Sequence, residues 1–281
     1  MDSKLIFLDI DGTLLPPGEM EPPESALKAI HKAQAKGHKV FLCTGRNRHM
    51  AEPLFQYGFD GYICSAGGYV VCGDELLFDC PMEKSQAEGL RAALEQCGAD
   101  YTLEVRDISY GNPSRVLERV IRQQNQQGAM NSEAERWSKF WTDGTMVRPL
   151  KEYHGEPIYK ICYTAESAAQ IAPVRALYED QFIFCEQQML RFSAEMVNGE
   201  LINRKFNKGT GIQRICRHLG VSPQDAIGFG DSENDLEMTD VVGISVCMAN
   251  GSDALKRRCT RICGAVTEDG LAREFEALGL V

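Results

Sequence analysis

Leu5-Ile6-Phe7-Leu8-Asp9-Ile10-Asp11-Gly12-Thr13-Leu14-Leu15 is the stretch that decides the fold. Four apolar residues run into two carboxylates one residue apart, then a glycine and a hydroxyl. A short apolar run closed by a turn signal reads as a strand buried on both faces of a parallel sheet. The acids then stand at its carboxyl edge, where open α/β sheets bind ligands. Residues two apart on extended backbone point the same way, so Asp9 and Asp11 face one region of space. Two close carboxylates raise each other's proton affinity unless a cation lies between them. Such a pair serves as a divalent-metal site or as one ionised acid beside one protonated acid, and a phosphoryl-transfer site uses both.

Outward from this strand the pattern repeats. Pro16-Pro17-Gly18 and Pro22-Pro23 mark a loop, Glu24 to Lys36 reads as a helix stopped by Gly37, and Lys39 to Cys43 reads as a second buried strand ending at Thr44-Gly45-Arg46. Strand, helix, strand in this span is a βαβ unit, hence a parallel, right-handedly crossed sheet. Arg48 to Tyr57 reads as a helix and Tyr62 to Cys64 as a strand. Gly73-Asp74 between Tyr69–Cys72 and Glu75–Phe78 is a two-residue hairpin signal.

From about Pro81 the strands alternate apolar with polar residues, as in a sheet with one wet face. Helices are expected over Glu83–Cys97, Pro113–Gln127 and Ser167–Glu179, and strands over Tyr101–Val105, Ile158–Tyr163, Phe182–Phe184 and Met189–Met196. A separate α+β module therefore occupies residues 82–197, with the core in 1–81 and 198–281. Trp137-Ser138-Lys139-Phe140-Trp141 reads as packing, and Glu104, Tyr110, Arg115 and Lys139 as solvated surface. After Asn198-Gly199 the buried-strand signature returns. Lys208 opens a helix to Leu219, Ala226–Gly230 is a strand ending at Asp231-Ser232-Glu233-Asn234-Asp235, and Val242–Val246 is another strand. The last helices run over Asp253–Arg258 and Gly270–Leu278.

Composition bounds the partners. With 40 acidic and 30 basic residues the net charge is −10, which argues against non-specific binding to nucleic acid or anionic membranes and requires a local positive site for any anionic substrate. The 11 cysteines are odd in number and form no Cys-x-x-Cys pair, so reduced thiols in a cytoplasmic protein are expected rather than a disulfide framework or zinc site. The five histidines show no ligand spacing. No cationic-then-apolar stretch stands before the first strand, so no signal peptide is expected, and no apolar run approaches the ~18 residues of a membrane span.

Three strand ends thus carry polar clusters, Asp9/Asp11, Thr44/Gly45/Arg46 and Asp231/Asn234/Asp235, with Lys208 at a helix start just before the third. Each alone also has a reading as a turn. Together, on one edge of one sheet, they describe a phosphoryl site. Asp9, Asp11 and Asp231 offer hard oxygens suited to Mg²⁺. Thr44 offers a hydroxyl, the Gly12 and Gly45 regions offer backbone N–H groups, and Lys208 offers a point charge.

The set, in this order, resembles the haloacid dehalogenase-like superfamily, and within it the Cof-type phosphatases, whose type-two cap is inserted between the second and third motifs. Asp9-Ile10-Asp11-Gly12-Thr13 matches the first motif, Cys43-Thr44-Gly45-Arg46 the second, Lys208-Gly209-Thr210 the third, and Gly230-Asp231-Ser232-Glu233-Asn234-Asp235 the fourth. Met248-Ala249-Asn250-Gly251 resembles a further family segment. Ser65-Ala66-Gly67-Gly68 and Thr267-Glu268-Asp269-Gly270 depart from the family pattern. The resemblance implies a Rossmann-like α/β core with an inserted α+β cap. It implies that Asp9 attacks phosphorus and that Asp11 protonates the leaving alcohol and then deprotonates water. Mg²⁺ would sit on Asp9, the Asp11 carbonyl and Asp231. Gly12, Thr44, Gly45, Lys208 and Asn234 would hold phosphate, with Asp235 orienting Lys208 or metal waters and Arg46 reaching substrate or bracing the cap. The expected activity is hydrolysis of a small phosphorylated metabolite, a sugar phosphate or phosphorylated cofactor. A phosphomutase and a non-enzymatic phosphoryl-binding module are the alternatives.

Overall fold

A computed structural model describes residues 3–112, 147–187 and 196–281. The expected helix at 113–127, the aromatic cluster at 137–141, Arg115, and all but the last residue of the expected strand at 189–196 lie outside them. The strands, in chain order, are β1 (Leu5–Leu8), β2 (Lys39–Cys43), β3 (Gly61–Cys64), β4 (Tyr69–Cys72), β5 (Glu75–Asp79), β6 (Asp100–Val105) and β7 (Ser109–Gly111). They continue with β8 (Val147–Pro149), β9 (Ile158–Ala165), β10 (Phe182–Gln187), β11 (Val197–Asn203), β12 (Ala226–Gly230), β13 (Ile244–Cys247) and β14 (Arg261–Ile262). The chain divides into two compact units, Met1–Asp79 with Phe206–Val281, and Cys80–Lys205.

The first unit holds one eight-stranded sheet of order β14-β13-β12-β1-β2-β3-β4-β5. All pairs from β14 to β3 are parallel, and β3-β4 and β4-β5 are antiparallel. The hairpin turns at Gly73-Asp74 as its sequence requires, with Cys72 facing Glu75. All four residues of β1 are buried, because the strand lies inside the sheet between β12 and β2. Phe7 and Phe41 face each other in register and stack at 5.1 Å, a pairing that adds about 0.5–1.5 kcal/mol to their area burial. Two expectations need correction. The helix expected over 48–57 is α-helical only over Arg48–Ala51 and continues as a 3₁₀ segment, Glu52–Tyr57, because Pro53 has no N–H to donate to the preceding turn. The strand expected from Val242 begins at Ile244, because the Val242 N–H still donates back to the Met238 carbonyl at 3.3 Å, closing the preceding helix.

The second unit holds a six-stranded sheet of order β10-β11-β9-β6-β7-β8, antiparallel except for β7-β8. Leu103, Ile161, Tyr163 and Leu201 form its apolar core with Leu90 and Leu94 of the Lys84–Cys97 helix and Ile171 and Val174 of the Ala168–Tyr178 helix. Asn198-Gly199, expected to end this module, lies inside β11 instead. Gly199 pairs with Tyr163, and the tyrosine ring lies where a side chain would stand, so the glycine marks a close approach within a strand rather than a turn. The unit therefore runs on to Lys205. The polar residues are not simply wet either. Glu104 and Lys160 are 4% and 3% exposed and pair at 3.3 Å, and Lys160 reaches Glu200 at 2.8 Å. Tyr110 is also buried and donates to Glu156 at 2.7 Å. All 11 cysteines are free thiols, and no described helix is long and apolar enough to cross a membrane.

Candidate active site

Parallel pairing of β12, β1 and β2 brings three strand ends side by side. Asp9 follows β1, Thr44 follows β2 and Asp231 follows β12, and the Asp9 N–H continues the ladder by donating to the Phe229 carbonyl at 2.9 Å. Behind them starts the Lys208–Leu219 helix, whose N-terminus is fixed by a reciprocal Asn207–Thr210 capping box. The cap places Lys208, 1% exposed, with its Nζ 2.7 Å from Asp9 Oδ1, 2.6 Å from Asp235 Oδ1 and 3.3 Å from Asn234 Oδ1. Asp235, fully buried, turns its other oxygen to the Asp231 and Ser232 N–H groups at 3.0 and 3.2 Å. Ser232 donates to Asn234 Oδ1 at 2.8 Å. One ammonium thus ties the first motif to the fourth.

The electrostatics follow from this burial. Removal from water pushes the Asp9 carboxyl up to about 7; Lys208 opposes the shift, and Asp235 and Asp11 add to it. Burial, with Asp9 and Asp235 nearby, lifts Asp231 to about 8. Burial works against the Lys208 charge, but Asp235 and Asp9 outweigh it and hold the amine well above the usual lysine range. These carboxyls share a surplus of negative charge, and a cation is what would relieve it.

Carboxylate oxygens of Asp9, Asp231 and Asp235 lie within 4.8 Å of one another. Both Asp235 oxygens already accept hydrogen bonds, whereas Asp231 Oδ1 is buried and accepts none from the protein. The lone pairs suited to a hard divalent ion are therefore those of Asp9 and Asp231, with Asp235 holding Lys208 and the Asp231 backbone. The donor set, hard carboxylate oxygens, fits Mg²⁺.

The remaining expected residues have distinct places. Gly12 has φ +79°, and a Cβ there would stand 2.2 Å from Asp231 Oδ2. Its N–H already has a protein acceptor, the Leu15 carbonyl at 2.9 Å, and its missing side chain leaves room for Asp231 to stand this close. Thr44 is buried and its Oγ1 accepts from the Arg46 N–H at 3.1 Å, with Gly45 between them. Asp11 stands apart from the Lys208 cluster. Its two oxygens accept from Arg46 Nε at 2.9 Å and Nη2 at 2.7 Å.

Three supports had no role in the sequence reading. Asn250 donates to the Gly12 carbonyl at 2.8 Å and accepts from the Val266 N–H at 3.0 Å, bracing the first motif from across the sheet. Gly251 packs against the Asp231 carbonyl, which the neighbouring Ser252 N–H meets at 2.7 Å. Ser65 and Ala66 both adopt positive φ, 50° and 55°, while donating to the Arg46 and Thr44 carbonyls. The next residue, Gly67, lies against the Asn207 carbonyl with no room for a Cβ. This strained turn joins the second motif to the helix cap that aims Lys208. Asn250-Gly251 was visible only as a motif fragment, and positive φ at serine and alanine has no sequence signal.

A family model of the haloacid dehalogenase-like hydrolases matches residues 6–275. The chain belongs to that family. The Cof-type assignment of the motifs stands, and among the relatives of this haloacid dehalogenase-like hydrolase are named phosphatases. The 5-amino-6-(5-phospho-D-ribitylamino)uracil phosphatase YitU of Bacillus subtilis is 28% identical, over 96% of this chain and 95% of its own. The pyridoxal phosphate phosphatase YbhA of Escherichia coli is 25% identical over 97% of each. The solved structure of BT4131, a HAD subclass IIB sugar phosphatase, superposes with a TM-score of 0.74 at 20% identity, covering 99% of this chain and all of that one.

Proposed function

We propose that this haloacid dehalogenase-like phosphatase hydrolyses the phosphate monoester of a small metabolite, a sugar phosphate or phosphorylated cofactor, with Mg²⁺. The observation that carries the reading is the Lys208 ammonium shared by Asp9 and Asp235 beside the hydrogen-bond-free oxygen of Asp231. It gives a buried carboxylate nucleophile with one fixed cation and a second cation's donors at hand. The names of YitU and YbhA, both acting on small phosphorylated compounds related to cofactors, support the substrate class.

In this reading an Asp9 oxygen attacks phosphorus and the bond to the alkoxy oxygen breaks, leaving an aspartyl-phosphate. Asp11 gives a proton to the departing oxygen, then takes one from the water that hydrolyses the acyl phosphate and releases Asp9. Thr44, Gly45, Lys208 and Asn234 hold the phosphate oxygens, and Gly12 keeps the backbone close to Asp231. Mg²⁺, held by Asp9, Asp231 and the Asp11 carbonyl, would neutralise phosphate charge. Residues 80–205 take the part of a type-two cap. The test is phosphate release from a panel of phosphorylated metabolites with and without Mg²⁺. Turnover that needs the ion and vanishes in Asp9→Asn is expected; equal turnover by Asp9→Asn and the parent rejects the mechanism.

A further inference from the structure

We propose that Arg46 is the positioning residue for the Asp11 carboxyl, fixing its plane so that a proton Asp11 takes from solvent passes to the leaving oxygen. The inference rests on the assignment of Asp11 as the acid–base group. The motif alone points Arg46 toward the substrate or the cap; the geometry points instead to the second acid of the first motif. The Arg46 fork donates Nε to one Asp11 oxygen at 2.9 Å and Nη2 to the other at 2.7 Å. Two parallel bonds define the orientation of a carboxylate, which a single point charge does not.

The arginine is the fixed partner of this pair. Its side chain is 7% exposed against 36% for Asp11. Its third nitrogen, Nη1, donates to the Met50 carbonyl at 3.2 Å. Its own N–H donates to Thr44 Oγ1 at 3.1 Å, and its carbonyl accepts from the Ser65 N–H at 2.7 Å. Asp11 instead stands three residues beyond the end of β1 and is followed by a glycine at positive φ. Arginine does not surrender a proton at any working pH, so Arg46 is not itself the proton donor. The two acids of the first motif are thereby given separate cations, Lys208 for Asp9 and Arg46 for Asp11.

The fork matters only where the leaving oxygen needs a proton, and that sets the test. 4-Nitrophenyl phosphate leaves as a weakly basic phenolate, whereas 4-methylphenyl phosphate, of similar size, leaves as one about as basic as tyrosine, with a pKa of about 10. The readout is kcat/KM, which covers steps up to transfer onto Asp9 and excludes breakdown of the phosphoenzyme. Arg46→Gln is expected to lower kcat/KM about 100-fold for the methylphenyl ester and less than about threefold for the nitrophenyl ester. Asp11→Asn should show the same split. Arg46→Lys, which keeps the charge and most of the bulk but has no fork, should reproduce the split, and it carries the test if the glutamine variant does not fold. An equal loss on both esters, no loss on either, or full recovery by Arg46→Lys overturns the proposal. A parent enzyme inactive on both esters with Mg²⁺ would instead reject the phosphatase reading on which it rests.

Discussion

Gly12→Ala separates what the site needs from what the fold needs. At φ +79° an L residue is strained by about 1–2 kcal/mol. That alone lowers the melting temperature by about 2–8 °C in a protein of this size. The added Cβ would also stand 2.2 Å from Asp231 Oδ2 and 2.7 Å from its Cγ. Ordinary contact begins at 3.4 Å, so the carboxylate must recede by about 1 Å, and a misplacement of that size costs about 100-fold in rate. The matched control is Gly37→Ala, at φ +91° with nothing within 4 Å of the new Cβ. Both variants should melt lower, and only Gly12→Ala should lose about 100-fold in kcat/KM for 4-nitrophenyl phosphate and require more Mg²⁺ for half-maximal rate. Activity of Gly12→Ala within about threefold of the parent, at unchanged Mg²⁺ requirement, would refute the placement of Asp231 against this glycine.

Two further outcomes follow from the buried charges. Lys208→Met leaves Asp9 and Asp235 without their shared cation. Unpairing buried charges costs about 3–5 kcal/mol, so urea unfolding should show a loss of that order together with abolished turnover; an unchanged midpoint would show that the triad does not stabilise the fold. In chelator, the raised carboxyls fix the pH dependence: Asp9 titrates near 7 and Asp231 near 8, against 3.8 for an unperturbed aspartate. Between those values the folded chain holds protons that the unfolded chain has released, so stability is greatest at the acid end and falls as pH rises toward about 8. Melting temperatures in chelator should therefore drop from about pH 5 to about pH 8, and the rise on adding Mg²⁺ should grow over the same window. A melting temperature that stays level across it would mean that the two carboxyls are ionised without a metal.

Much of the site is legible in the chain because the strand period is local. Once Leu5–Leu8 is read as a buried parallel strand, Asp9 must stand at its edge, and the same logic puts Thr44 and Asp231 at strand ends on that edge. The order of the motifs then gives the family. The insertion is less legible: a glycine inside a strand and a glycine in a turn look alike in sequence, and only the Tyr163 ring lying on Gly199 distinguishes them.

The order of residues names the chemical groups and the sheet edge they share. Which group holds which depends on how the folded elements pack. Lys208 and Asp9 are 199 residues apart, and Arg46 and Asp11 are 35 apart. The spacing of the acids alone does not say which of them receives the ammonium and which the guanidinium fork. Strand order and the capped start of one helix settle that, because an ion pair forms where the folded backbone delivers two side chains to within about 3 Å, and that delivery depends on every element packed between them.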